Sequence, residues 1–103
     1  MNIVGVAACT AGIAHTYIAR EKLIEAAEAA GHTIAIETQG TIGRQFELTA
    51  EEIANADLVI IAADIKTSGQ ERFEGLPKIE VPTDVVVHSA KALIAKAEEI
   101  MSE

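Results

Sequence analysis

Two short, unbroken apolar runs limit what this chain can fold into more than anything else in it. Ile3-Val4-Gly5-Val6-Ala7-Ala8 and Leu58-Val59-Ile60-Ile61-Ala62-Ala63 contain no polar side chain. A strand with one face in water alternates, whereas a continuous run of this length fits a strand buried on both faces, as in a parallel sheet. From Thr16 to Ala30 the period becomes helical, with Ala19, Leu23, Ala26 and Ala30 along one face and Arg20, Glu21, Glu25 and Glu28 pointing away. Gly31 is placed to end that helix as its C′ residue. Thr33-Ile34-Ala35-Ile36-Glu37-Thr38 alternates and reads as a second strand, and Gly40 and Gly43 mark a turn. Thr49 and Glu52 have the spacing of a capping box that opens a short helix. Residues 66–77 read as loop or a short helix. Lys78-Ile79-Glu80-Val81 reads as a further strand closed by Pro82. Thr83 or Ser89 is expected to cap a final helix whose inner face is Leu93, Ala97 and Ile100.

Strands alternating with helices imply an α/β fold, a parallel sheet wrapped by helices with right-handed crossovers. The 103 residues suit one domain spanning 1–103. In such folds ligands bind beyond the carboxyl ends of the strands. Cys9, Thr38, Gln39 and Asp64 all fall at such ends, so the site is expected at one edge of the sheet.

The formal net charge of −8 speaks against nucleic acid and anionic membrane surfaces as partners, since both demand clustered Lys and Arg. No apolar run is long enough to span a membrane. The amino-terminal apolar run follows Asn2 rather than basic residues and is not a signal peptide, so a cytoplasmic protein is expected. The single cysteine forbids an internal disulfide and is either a buried small hydrophobe or a nucleophile. No pattern calls for a metal or a cofactor, and none is expected.

Position decides in favour of the nucleophile. The segment Cys9-Thr10-Ala11-Gly12-Ile13-Ala14-His15-Thr16 runs from a strand end into a helix start. Backbone N–H groups in such a loop, together with the helix N-terminus, cradle an anion. Gly12 lets the backbone curl, and Ala11 and Ala14 keep the cradle open. The same field lowers the pKa of a thiol from its free value of about 8.5. The loop thus activates Cys9 to attack phosphorus and then holds the phosphoryl group among the same donors. The N–H groups from Thr10 to Thr16 are the expected phosphate contacts, with side-chain help from His15 and Thr16. Thr16 is expected to serve as helix cap and phosphate ligand at once.

The spacing resembles that of cysteine-dependent phosphatases, in which five residues separate Cys from Arg and Ser or Thr follows. Here His15-Thr16 stands in that place. Arginine supplies a permanent charge and a bidentate fork, whereas histidine supplies fewer donors and a charge that depends on pH. The loop is therefore expected to hold phosphocysteine and hand it on rather than hydrolyse it. Asp64 reads as a strand-end turn residue or as a general acid. Arg44 and Arg72 read as surface charges, or as groups that dock an acidic partner or touch the phosphoryl group. His32 reads as solvated and His88 as structural.

With these residues in place, the chain closely resembles a known family, the B component of fructose-type enzyme II in the bacterial phosphoenolpyruvate:sugar phosphotransferase system. The family loop, Cys-Pro-Thr-Gly-Ile-Ala-His-Thr, is matched at Cys9, Gly12, Ile13, Ala14, His15 and Thr16. Glu37-Thr38-Gln39-Gly40, Ala62-Ala63-Asp64 and Glu71-Arg72-Phe73 with Gly75 and Pro77 match further along. The resemblance implies a four-stranded parallel sheet with helices on both faces and a phosphate-binding loop after the first strand. It implies that a phosphohistidine on the A component donates to Cys9. The phosphocysteine then phosphorylates a fructose-like sugar entering through the membrane-embedded C component, at the inner face of the membrane. A carrier that meets two partners in turn is expected to be a monomer. Thr10 and Ala11 depart from the family's Pro and Thr, and Leu76 stands where a Lys is common. These departures leave room for an inactive regulatory or binding paralogue, and a phosphatase or arsenate reductase is the enzymatic rival.

Overall fold

The structure is a computed structural model that describes residues 1–8, 13–40 and 43–101, with the backbone alone for 13–15, 40, 43 and 44. The elements are β1 (Asn2–Ala8), α1 (Ile13–Ala29), β2 (Thr33–Gly40), β3 (Gly43–Gln45), α2 (Ala50–Ala54), β4 (Leu58–Ala63), a 3-10 turn (Gln70–Phe73), β5 (Lys78–Val81) and α3 (Thr83–Met101). They form one sheet in the order β3-β2-β1-β4-β5. The strands β2, β1, β4 and β5 run parallel, as the apolar runs require. The fifth strand, β3, is antiparallel and pairs with the end of β2 from Thr38↔Gln45 to Gly40↔Gly43. Sequence reading takes this stretch as a turn, because three residues with two polar side chains show no period.

The alternation of each strand sends its side chains into two cores. On one face Ile3, Ala7, Ile36, Leu58, Ile60 and Ala62 meet Ala19, Leu23, Ala26 and Ala27 of α1 and Val86, Leu93 and Ala97 of α3. On the other, Val4, Val6, Val59 and Ile61 are covered by Leu48 and by Phe73 of the 3-10 turn, with Ile53 of α2 at the margin. Gly5 of β1 sits where strand and neighbour nearly touch: a Cβ there would lie 2.5 Å from the Ile60 carbonyl oxygen and 2.8 Å from Ile36 Cδ1.

The helix ends follow local chemistry. α1 stops in a Schellman motif, in which Gly31 N–H donates to Glu28 O and His32 N–H to Ala27 O while Gly31 takes φ +84°. The capping box of α2 is present in both directions between Thr49 and Glu52. α3 starts at Thr83, and Ser89 is where its backbone leaves helical geometry (φ −143°, ψ 38°). Two positions that compete in the sequence as caps therefore mark the start and the kink of one helix. α1 begins at Ile13, three residues before the expected Thr16.

Candidate functional site

The carboxyl end of β1 is hemmed in on both sides. Ala8 pairs with Gln39 of β2 and with Ala63 of β4, and Asp64 N–H donates to Ala8 O at 3.0 Å. The next described residue after Ala8 is Ile13, where α1 starts. Four residues therefore link the carboxyl end of the central strand to a helix N-terminus, whose first four N–H groups have no partner within the helix. Those four residues, Cys9, Thr10, Ala11 and Gly12, lie outside the described residues. Ile13, Ala14 and His15 form the backbone of the first turn of α1, with Thr16 completing it. Thr16 is 4% exposed. It lies inside the first turn and is not the cap that the sequence suggests.

Asp64, at the end of β4, accepts from Thr83 N at 3.0 Å and from Thr83 Oγ1 at 2.6 Å. Thr83 is fully buried, and it is the first residue of α3. The Asp64 carboxylate thus fixes the start of α3, favouring the structural member of its two sequence readings. A cleft of about 380 Å³ lies beside it, between the carboxyl ends of β4 and β5 and residues Lys66 and Gln70.

Arg72 is not the surface charge that the sequence suggests. Its Nη1 and Nη2 donate to the two carboxylate oxygens of Glu37 at 2.9 and 3.0 Å, a bidentate fork, and its Nε donates to Gly69 O at 2.7 Å. Glu37 is 0% exposed. It also accepts from Gln39 Nε2 at 2.7 Å and from Leu48 N–H at 3.2 Å. Burial alone would push the Glu37 carboxyl up, but the Arg72 fork, the Gln39 amide and the Leu48 N–H outweigh it and hold it below the ordinary carboxylate value. The same contact holds the Arg72 guanidinium above its ordinary value. Gln39 carries the network onward: its Nε2 donates to Ser68 O and its Oε1 accepts from Ser68 N–H, both at 2.9 Å. Sequence reasoning misses this cluster. Its one available signal is that two polar residues, Glu37 and Gln39, fall on the face of β2 opposite Ile36.

A second cluster borders the start of α1. Phe46 is 56% exposed and takes φ +54°, a left-handed backbone that is rare for a bulky residue. The Arg20 guanidinium stacks 3.8 Å from its ring centroid, and Tyr17 meets it edge-on. His32, expected to be solvated, lies between Glu98 Oε2 (2.9 Å from Nε2) and the Met1 amino nitrogen (3.1 Å from Nδ1). His88 is exposed at the kink of α3. Among the described residues there is no group of acidic, histidine or cysteine side chains that would hold a metal, and no helix is long and apolar enough to cross a membrane.

Comparison with known proteins adds to this geometry. The family model of the lactose/cellobiose-specific IIB subunit of the PTS system matches residues 4–102. The chain is 44% identical over 102 residues to the PTS system fructose-like EIIB component 2 of Escherichia coli K12, covering 99% of this chain and 96% of that one. It is 42% identical over 96 residues to the 2-O-alpha-mannosyl-D-glycerate-specific EIIABC component of the same organism. That match takes in 93% of this chain but 15% of the relative, one segment of a much longer protein. The solution structure of the enzyme IIB subunit of the PTS system from E. coli K12 superposes with a TM-score of 0.91 at 36% identity, over 98% of this chain and 94% of that one.

Proposed function

Because the chain belongs to the enzyme IIB components of the sugar phosphotransferase system, in the fructose-type branch, we propose that Cys9 is its phosphoryl carrier. In the first step the Cys9 thiolate attacks the phosphorus of a phosphohistidine on the A component. The P–N bond breaks, a P–S bond forms, and the imidazole leaves. In the second step a hydroxyl of a fructose-like sugar held by the C component attacks the same phosphorus. The P–S bond breaks, Cys9 returns as thiolate, and the hydroxyl proton passes to solvent or a nearby base. The N–H groups of Thr10, Ala11, Gly12, Ile13, Ala14, His15 and Thr16 hold the phosphoryl oxygens in between, with the His15 and Thr16 side chains assisting. The protein works at the inner face of the membrane through the C component, without entering the bilayer. The EIIABC relative supports A and C components as the partners, since there the three are joined in one protein.

One observation carries the reading. Only four residues separate the end of the central strand β1 from the start of α1, and Cys9 is the first of them. Helix N-termini favour anions through their unpaired N–H groups and the helix dipole. A thiolate and a thiophosphate are both anions, so one arrangement serves reactant and product. Against a phosphatase, position 15 holds histidine, and the Arg72 fork is committed to Glu37.

The test is intact-protein mass after incubation with phosphoenolpyruvate, the general phosphotransferase proteins and a fructose-type A component, with Cys9→Ser as control. The expected result is a gain of one phosphoryl group, absent in the control and discharged only when permease and sugar are added. No gain under conditions that load a known B component refutes the carrier and favours a binding paralogue. Rapid discharge into water favours a phosphatase.

A further inference from the structure

Two sequence motifs have no part in the transfer chemistry so far, Glu37-Thr38-Gln39-Gly40 and Glu71-Arg72-Phe73. In the fold they meet. Glu37 and Gln39 share the face of β2 that looks into the second core, and Arg72 reaches Glu37 from the 3-10 turn. The charged pair carries a large desolvation cost, and an apolar pair of the same volume is often as stable or more so. Stability is therefore a weak reason for a carboxylate with no solvent exposure in an aliphatic core. Location offers a better one.

Gln39 is the register partner of Ala8, the last residue of β1. Its amide grips both the N–H and the C=O of Ser68, the same two-point grip that a neighbouring strand would make. Arg72 closes the other side by donating from Nε to Gly69 O while its fork holds Glu37. Gln39 is thus paired with the residue that immediately precedes Cys9 in the chain.

We propose that Glu37, Gln39 and Arg72 are positioning residues of phosphoryl transfer: together they clamp the Ser68–Gly69 turn to the carboxyl end of β2, the strand paired with the end of β1, and so preset the surroundings of the residue that carries the phosphoryl group. The clamp touches neither donor nor sugar. It acts by keeping the surroundings of the thiol fixed and dry. Loosening it admits water, which weakens the field of the α1 N-terminus on a thiolate and lets the reacting groups drift from alignment. The rate part of this inference rests on the carrier reading, whereas the thiol part does not.

The experiment uses Gln39→Met, which removes the grip on Ser68 and the Gln39 bond to Glu37 without changing charge and leaves the two bonds of the Glu37–Arg72 fork in place. Circular dichroism and a urea midpoint establish folding. Two readouts follow: the pH profile of Cys9 alkylation by iodoacetamide, and phosphoryl transfer from the phosphorylated A component over a range of donor concentration. The expected result is a profile displaced to higher pH, with alkylation near neutrality roughly threefold slower. Maximal transfer falls roughly tenfold to a hundredfold, while the half-saturating donor concentration stays within about twofold. A folded variant with an unchanged alkylation profile and an unchanged maximal rate overturns the proposal, and so does one in which only the half-saturating concentration moves. If the wild-type protein takes no phosphoryl group, the carrier reading fails and the alkylation profile alone decides the clamp. If Gln39→Met does not fold, Arg72→Lys, which keeps the charge but loses the fork, is put through the same two assays and judged by the same outcomes.

Discussion

Replacing Arg72 with methionine isolates what the buried pair does for the fold. The variant keeps the bulk of the side chain and removes both bonds of the fork, at 2.9 and 3.0 Å. Glu37 keeps its contacts from Gln39 and Leu48 but remains at 0% exposure. Breaking one side of a buried pair costs about 3–5 kcal/mol. The surviving donors among the described residues place Arg72→Met near the lower end, at about 3 kcal/mol. Domains of this size have about 5–15 kcal/mol in all, so the urea midpoint should fall by roughly 1–3 M. The pH dependence carries the sharper signature. In the wild-type protein the Glu37 carboxyl titrates below its ordinary value of 4.5. Its contribution is therefore fully present above the unfolded-state pKa and is lost as the pH falls through the folded one. Without Arg72 the desolvation that already opposes ionisation dominates, and the folded-state pKa rises above the unfolded one. The relative stability of the variant then increases as the pH falls from neutrality toward about 5, so the gap between the two proteins narrows. Urea melts at pH 7.5 and 5.5 measure this. A loss under about 1 kcal/mol, or a gap that stays constant or widens on acidification, refutes the reasoning. Adding Glu37→Leu to Arg72→Met should restore most of the stability, because no charge is then left buried.

Asp64→Ala removes two hydrogen bonds to the start of α3. With a charged acceptor this costs about 2 kcal/mol and lowers Tm by roughly 10 °C; a change under about 2 °C would show that α3 is fixed by its apolar contacts alone. Gly5→Ala drives a methyl group against the Ile60 carbonyl and Ile36. Neither the neighbouring backbone nor the buried Ile36 can step aside, so it should cost about 1–3 kcal/mol, read as a lower denaturant midpoint with an unchanged slope.

Local chemistry made much of this architecture readable. The Leu58–Ala63 strand, the Thr49–Glu52 capping box and the Gly31 helix end each depend on residues close together in the chain, and all three match their sequence expectations. The family resemblance covered the four parallel strands and the helices on both faces. What was hidden was hidden by distance. Glu37 in an alternating run shows no sign of its partner, because nothing nearby announces that Arg72 will come to meet it. Arg72 in a polar, glycine-containing stretch reads as surface for the same reason. The start of α1 was misplaced because Ile13-Ala14-His15 carries no capping signal, and Ser89 reads as a cap when it marks a kink. Cys9, expected from the order strand, small-residue loop, helix, lies outside the described residues, while the strand before it and the helix after it are both present.

β1 stands in the middle of the sheet, and that has a bearing on how the molecule comes into being. Ile3 is paired with Ile34 on one side and Leu58 on the other. Its place is defined only after more than half of the polypeptide exists. Sheets built from such distant pairings fold more slowly than helical bundles, since the chain must close large loops before any strand contact rewards it. During synthesis the first apolar run therefore stays unpaired and sticky, a natural stopping point for chaperones. The same wiring delays the carboxyl end of β1 as well: Ala8 has both of its neighbours only once Gln39 and Ala63 are in register. A nascent or truncated chain that lacks β4 therefore leaves the carboxyl end of the central strand without its second neighbour.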